Sequence, residues 1–159
     1  MKRMSMLLAG LLLAAVATGC MSGEAADGFN AINADRAGNG VGTLGEHGDL
    51  VAKAEGWAAH LANASGGRCG LETLVHSNLK DGAPGGWQNL GENVGCRIAT
   101  SDIASNVGPL EVAFMNSPHH RENILNGWFN KGGVAFAAVP AAGAPGMLAV
   151  YEVQEFARV

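Results

Sequence analysis

With 159 residues, 48% of them hydrophobic, the chain is long enough to bury one core and too apolar to be disordered. Its 14 acidic against 10 basic residues, a formal charge of −4, and the lack of any basic stripe exclude the clustered phosphate contacts of a nucleic-acid binder. Glycine, at 24 of the 159 residues, is about twice as frequent as its usual share of roughly 7%, which predicts a loop-rich globule.

Lys2 and Arg3 precede an apolar run from Met6 to Val16 that ends in Ala17-Thr18-Gly19-Cys20. A basic start, a short apolar stretch and small residues before a cut site describe a secretory signal. The run falls short of the roughly 20 residues that span a bilayer. Its end resembles the bacterial lipobox, in which the cysteine thiol receives a diacylglycerol before cleavage, with Ala17 standing where that pattern usually has Leu. The resemblance implies that residues 1–19 are removed and that a lipid on Cys20 holds the protein on the membrane outside the cytoplasm. Ordinary cleavage nearby, giving a freely secreted protein, is the alternative. Loss of Lys2 and Arg3 leaves eight basic and fourteen acidic residues, a formal −6. Residues 20–28 read as a short tether and 29–159 as a single domain.

A short helix is expected from Phe29 to about Ala37, ending in Gly38-Asn39-Gly40. The strongest helical pattern follows: Leu50, Val51, Ala54, Trp57, Ala58, Leu61 and Ala62 form one apolar stripe, with Asp49 as N-cap and Ser65-Gly66-Gly67 as the stop. Residues 66–100 are expected to be irregular except for a short strand around Leu90–Cys96. A third helix covers Ile103 to Asn116, with Gly108-Pro109 a candidate break. Ser117-Pro118 reads as the N-cap and first turn of a brief helix to Leu125. Gly133–Val139 and Met147–Phe156 are β-prone and are separated by a Pro- and Gly-containing loop, the pattern of a hairpin. Helices first and paired strands last predict an α+β layered domain.

Gly40-Val41-Gly42-Thr43-Leu44-Gly45 matches G-x-G-x-x-G, but a helix and not a strand precedes it, so the match is discarded. With Cys20 lipidated, Cys69 and Cys96 remain, an even pair in an oxidising compartment: a disulfide, or two separate buried thiols. A bridge would draw the loop bearing His76 toward the segment bearing Glu92. His119 and His120 lie at a helix start. Two imidazoles and a carboxylate suffice to hold a divalent metal or to act as acid and base without one. Equally, each is accounted for as a turn, loop or helix-surface residue. Glu111 reads as a solvated helix face, and Trp57, Trp87 and Trp128 as core or rim packing. Ser117 reads as a cap, with a Ser117–His120 nucleophile pair as its alternative.

Several ordered segments carry a family resemblance: Ala31-Ile-Asn-Ala-Asp-Arg36, Trp87-Gln-Asn-Leu-Gly-Glu-Asn-Val94, Phe114-Met-Asn-Ser-Pro-His-His-Arg-Glu-Asn-Ile-Leu-Asn126, Gly133-Val-Ala135 and Val150-Tyr-Glu-Val-Gln-Glu-Phe-Ala157. From Phe29 to Ala157 the chain resembles the bacterial branch of the CAP superfamily, the SCP-like domain of cysteine-rich secretory proteins, antigen 5 and plant pathogenesis-related proteins. The resemblance implies an α-β-α sandwich around a small, mainly antiparallel sheet, with His76, Glu92 and His120 in a common cleft. Ser117 stands where many members carry a further glutamate, so the cleft lacks that carboxylate. A binding module is therefore expected, taking a divalent cation, zinc above all, or a small ligand at the envelope. The alternatives are a metal-assisted peptidase or esterase, and a lipid-binding, sterol-binding or structural envelope protein. Membrane contact through the lipid is expected, with no nucleic-acid partner, and the sequence leaves the oligomeric state open.

Overall fold

The computed structural model describes Met21 and residues 23–99 and 101–159. The predicted signal, the lipobox and Cys20 lie outside the described residues. The elements are α1 (Glu24–Gly38), β1 (Gly45–Glu46), α2 (Gly48–Ser65), a 3-10 turn at Leu71–Thr73, β2 (Asn89–Ile98), α3 (Ala104–Asn116), α4 (Pro118–Ile124), β3 (Lys131–Pro140) and β4 (Leu148–Arg158). They form a mixed α/β sandwich around one four-stranded sheet of order β1-β3-β4-β2. Only the two-residue β1–β3 pairing is parallel; β3–β4 and β2–β4 are antiparallel. Among the described residues no helix is long and apolar enough to cross a membrane.

The side-chain alternation of β4 sorts the core into two halves. Tyr151 and Val153 face α2 and meet Ala54, Ala58 and Leu61. Phe156 faces the other way, into a cluster with Phe29 and Ile32 of α1, Phe114 of α3 and Ile124 of α4. Covered on both faces, β4 is buried almost throughout. The expected apolar stripe of α2 is the face it buries, and Gly66, at φ 61°, ends the helix in the left-handed conformation. Cys69 and Cys96 form a disulfide, with Cα atoms 5.5 Å apart, that staples the loop after α2 to β2.

Several local expectations are corrected. Helix α1 begins at Glu24, five residues before Phe29, because Gly28 and Phe29 already face the core. The N-cap of α2 is His47, whose Nδ1 accepts from the Asp49 N–H at 3.3 Å. Helix α3 runs unbroken through Pro109, with Val107, Leu110 and Phe114 buried on both sides of it. Ser117 does stand at the N-cap of α4, with Pro118 at N1, but its hydroxyl makes no capping bond. Strand β1 was not expected; two residues are too few to show a period. Trp57 packs against the core, whereas Trp87 and Trp128 are 39% and 67% exposed and lie outside it.

Helix α2 lies unusually close to β3. A Cβ built on Gly133 would stand 2.5 Å from the carbonyl carbon of Leu50 and the nitrogen of Val51, both backbone atoms that cannot step aside. Gly133→Ala is therefore expected to destabilise the domain by about 3 kcal/mol through overpacking. Gly56→Ala, on the exposed side of the same helix with nothing within 4 Å, should instead stabilise it by roughly 0.5–1 kcal/mol. Urea denaturation of both variants checks the pair.

Candidate functional site

His76 sits on the loop between the 3-10 turn and β2, and three attachments fix that loop. The disulfide holds its start. The indole Nε1–H of Trp57 on α2 donates to the Val75 carbonyl at 3.0 Å. The backbone N–H of Ser77 donates to Oε1 of Glu92 at 2.9 Å. The same oxygen lies 2.7 Å from His76 Nδ1. The Glu92 side chain is fully buried, while that of His76 is 57% exposed. With the carboxylate accepting, Nδ1 carries the proton and Nε2 is the imidazole's basic atom. A cavity of about 390 Å³ opens here, lined by His76, Ser77, Leu79, Leu90, Gly91, Glu92 and Asn123.

Glu92 on β2 lies directly opposite Glu155 on β4. Like charges in that relation repel, and α2 supplies the counter-ion. Lys53, its side chain 4% exposed, places Nζ 2.6 Å from Glu155 Oε1 and 3.6 Å from Glu92 Oε2, and also donates to the Ser77 hydroxyl. Burial pushes the Glu92 carboxyl up, but hydrogen bonds with Glu155, Ser77 and His76 outweigh it and hold its pKa below the ordinary value. Glu155 goes the other way, raised to about 8 by burial and by the neighbouring Glu92, in spite of Lys53. Two buried carboxyls beside one ammonium thus retain a proton, and that proton belongs to the pair. Sequence reasoning missed both Lys53 and Glu155. A signal existed: Lys53 lies on the buried side of the α2 stripe, three residues after Leu50, and Glu155 shares a face with Tyr151 and Val153. Each charge occupies a place where the period asks for an apolar residue.

The other sequence candidates are arranged differently. His120 on α4 is half-buried, its ring edge-on to Phe114 at a centroid distance of 4.9 Å. Its pKa is lowered by burial and then by the charges of His76 and His119, which puts it within electrostatic reach of His76. Neither His120 nor Ser117 lines the cavity. Among the described residues no group of three or more His, Cys, Asp or Glu side chains is placed to hold a metal ion.

A second buried polar group lies across the sheet. Asn123, at the cavity edge, donates to Asn93 Oδ1 (2.9 Å); Asn93 donates to Gln154 Oε1 (2.9 Å); Gln154 donates to Glu111 Oε2 (2.8 Å) and Glu152 Oε1 (2.9 Å). Glu111 is 4% exposed and Glu152 fully buried, so the expectation of a solvated Glu111 is overturned: α3 turns it inward onto the sheet.

Residues 29–156 match the family described as CAP, the cysteine-rich secretory protein family. Comparison with curated proteins returned no match. Among solved structures the chain is similar to an extracellular protein containing an SCP domain from Bacillus anthracis, at 22% identity and a TM-score of 0.60, over 86% of this chain and 40% of that one. It is also similar to an outer surface protein of Borrelia burgdorferi, at 17% identity and a TM-score of 0.53, over 82% of this chain and 88% of that one. A cysteine-rich secretory protein of Staphylococcus aureus matches at 16% identity and a TM-score of 0.49, over 86% of this chain and 39% of that one. The chain therefore spans less than half the length of the Bacillus and Staphylococcus proteins, and at such identities the likeness shows the fold.

The buried acids set the pH dependence of stability. Burial raises Glu111 to about 8, against an opposing hydrogen bond from Gln154, and raises Glu152 well above its ordinary value. An acid whose folded pKa is raised stabilises fully below its unfolded value, and that stability is lost as pH rises through the folded one. Glu111 and Glu155 thus predict a melting temperature that falls from about pH 5 through pH 8. Glu92, shifted downward, acts only on the acid side of the ordinary carboxyl range. Calorimetry across this range should find a shallower decline in Glu111→Gln; an unchanged slope would remove Glu111 as a cause.

Proposed function

This chain belongs to the cysteine-rich secretory protein family, CAP, and on that premise we propose that it is an exported binding module of the cell envelope, anchored through Cys20, whose His76–Glu92 cleft takes a small polar ligand. The observation that carries the reading is the 2.7 Å contact between His76 Nδ1 and a fully buried carboxylate, beside a cavity of about 390 Å³. That contact orients the imidazole so that Nε2 accepts a hydrogen bond from a ligand, and Asn123 lines the same cavity. The extracellular description of the Bacillus anthracis protein and the outer-surface description of the Borrelia burgdorferi protein support export.

A resident zinc is a poor fit to these donors. Glu92 Oε1 already accepts from His76 and Ser77, and Oε2 faces the Lys53 ammonium at 3.6 Å. Two imidazoles would remain, whereas zinc centres that keep an open position are held by three protein ligands. The positive charge beside Glu92 belongs to the protein itself. Hydrolysis is also disfavoured. Ser117 does not line the cavity, and Ser77 receives a hydrogen bond from Lys53, the reverse of surrendering a proton to it.

Zinc titration followed by thermal unfolding separates the readings, because a ligand that binds only the folded state raises the melting temperature by mass action. Equimolar zinc is expected to leave wild type and the His76→Ala, His120→Ala double variant alike; a rise confined to wild type would restore a metal centre. Small amides, carboxylates and alcohols followed by protein-observed NMR should perturb His76 and Asn123, and should not do so in His76→Ala. No response to any of them would sink the ligand reading. Lys53→Met should cost about 3–5 kcal/mol, since it strands two buried carboxyls, and adding Glu155→Gln should recover much of that loss in urea denaturation.

A further inference from the structure

Trp128 is 67% exposed, yet its loop is among the most firmly held in the molecule. The Trp128 N–H donates to Asn126 Oδ1 at 3.0 Å. The next residue, Phe129, is buried and stacks on Phe156 at 5.6 Å. Arg36 of α1, only 1% exposed, reaches under the loop: its Nη1 donates to the carbonyls of Ile124 (2.7 Å) and Asn126 (3.0 Å), and its Nη2 to that of Phe129 (3.1 Å). The backbone on both sides of Trp128 is thus bonded, while its side chain is left exposed. An apolar side chain on a clamped loop is a preorganised platform that loses little freedom on binding.

Its neighbours are polar, and their backbone is fixed. A groove of about 290 Å³, at the small end of the roughly 300–1,000 Å³ typical of ligand sites, is lined by Gln88, Gly127, Trp128 and Arg158. The Gln88 N–H donates to the Arg158 carbonyl at 2.8 Å, which keeps the start of β2 beside the end of β4. The groove contains a guanidinium with five donors, a carboxamide that both donates and accepts, and no acid. A wholly apolar ligand would strand those groups, and a bare anion would make no use of the indole. A sugar ring has an apolar C–H face and a rim of hydroxyls, so it meets both requirements.

We propose that Trp128, Arg158 and Gln88 form a saccharide-binding subsite, with the indole against the C–H face of a pyranose ring and the guanidinium and carboxamide on its hydroxyls. The subsite is separate from the His76 contact and does not depend on it.

The test is protein-observed NMR on the full chain, with the N-acetylglucosamine tetramer as probe, and cellotetraose and an oligoglutamate peptide as comparisons. Saturable shifts at the Trp128 indole, Gly127 and Gln88 are expected, with a Kd of roughly 1 mM or tighter. Trp128→Ala should weaken binding about tenfold or more, Trp128→Phe should restore part of it, and Glu55→Ala, on the exposed side of α2, should leave it unchanged. Equal affinity in Trp128→Ala, or no saturable response to either saccharide, would overturn the proposal. A response to oligoglutamate alone would overturn it in favour of an acidic-peptide surface.

Discussion

Burying Glu92 and Glu155 opposite each other on adjacent strands would be unfavourable without Lys53. The strand register pairs them, their side chains are nearly or wholly inaccessible, and in a low-dielectric interior a second negative charge would be only weakly screened, which is why the pair keeps a proton. A single ammonium, brought in from α2, is shared between them. Its hold on Glu155 is short at 2.6 Å and on Glu92 longer at 3.6 Å, which leaves Glu92 Oε1 to accept from His76 and Ser77. Helix α2, strand β4, edge strand β2 and the loop after the disulfide therefore meet at one charge cluster. The orientation of His76 depends on the ionised state of Glu92, and hydrogen bonds with Glu155, Ser77 and His76 itself favour that state.

The neighbouring pair on the same strands settles the other face. One residue along, Asn93 lies opposite Gln154 and bonds to it at 2.9 Å, and Gln154 hands the chain on to Glu111 and Glu152. Two successive cross-strand pairs thus carry polar groups to opposite faces of the sheet, acidic and paired with a lysine toward α2, amide-bridged toward α3 and α4. The amide chain is bonded throughout, whereas Glu111 Oε1 and Glu152 Oε2 at its end are buried without a hydrogen-bond partner among the described residues, so the acids are held by one oxygen each. Asn123 belongs to both sides: it lines the cavity and opens the amide chain.

Much of this was legible, and the failures have physical reasons. The α2 stripe, the terminal hairpin, the disulfide and the α+β class follow from period, turn residues and cysteine count, all of which act over short spans or through export, while the sandwich came from the family resemblance. The encounter of His76 with Glu92 followed from the disulfide once its two halves were read as neighbours. The Lys53–Glu155 pair was illegible as chemistry because its partners are 102 residues apart and because each looks, alone, like a misplaced charge. Glu111 deceived for the same reason: an acid on a helix is usually solvated, and only the position of Gln154 makes a buried one tolerable. The Asn33–Arg36 segment was recognised as a family pattern without its physics. The Leu44 N–H donates to Asn33 Oδ1 at 2.7 Å and the Asn33 side-chain amide donates to the Leu44 carbonyl at 3.1 Å, while Arg36 holds the loop after α4.

That loop explains why chemistry gathers at the start of β2. As an edge strand, β2 offers an unpaired backbone flank that a protein must cover or blunt. Here the His76 loop lies beside it from the α2 side and the α4 segment from the other, and Gly91 lets the latter approach, since a Cβ there would stand 2.9 Å from Phe129 and 3.1 Å from Asn123. Neither covering segment is a strand, so each brings side chains to the edge where a strand would have brought hydrogen-bonding backbone. An imidazole, a carboxamide and an indole are thereby set along one rim, each on a segment anchored from beneath by a buried charged residue: Lys53 under the first, Arg36 under the other two. The rim is rigid because its supports are buried, and its side chains are available because the sheet ends there.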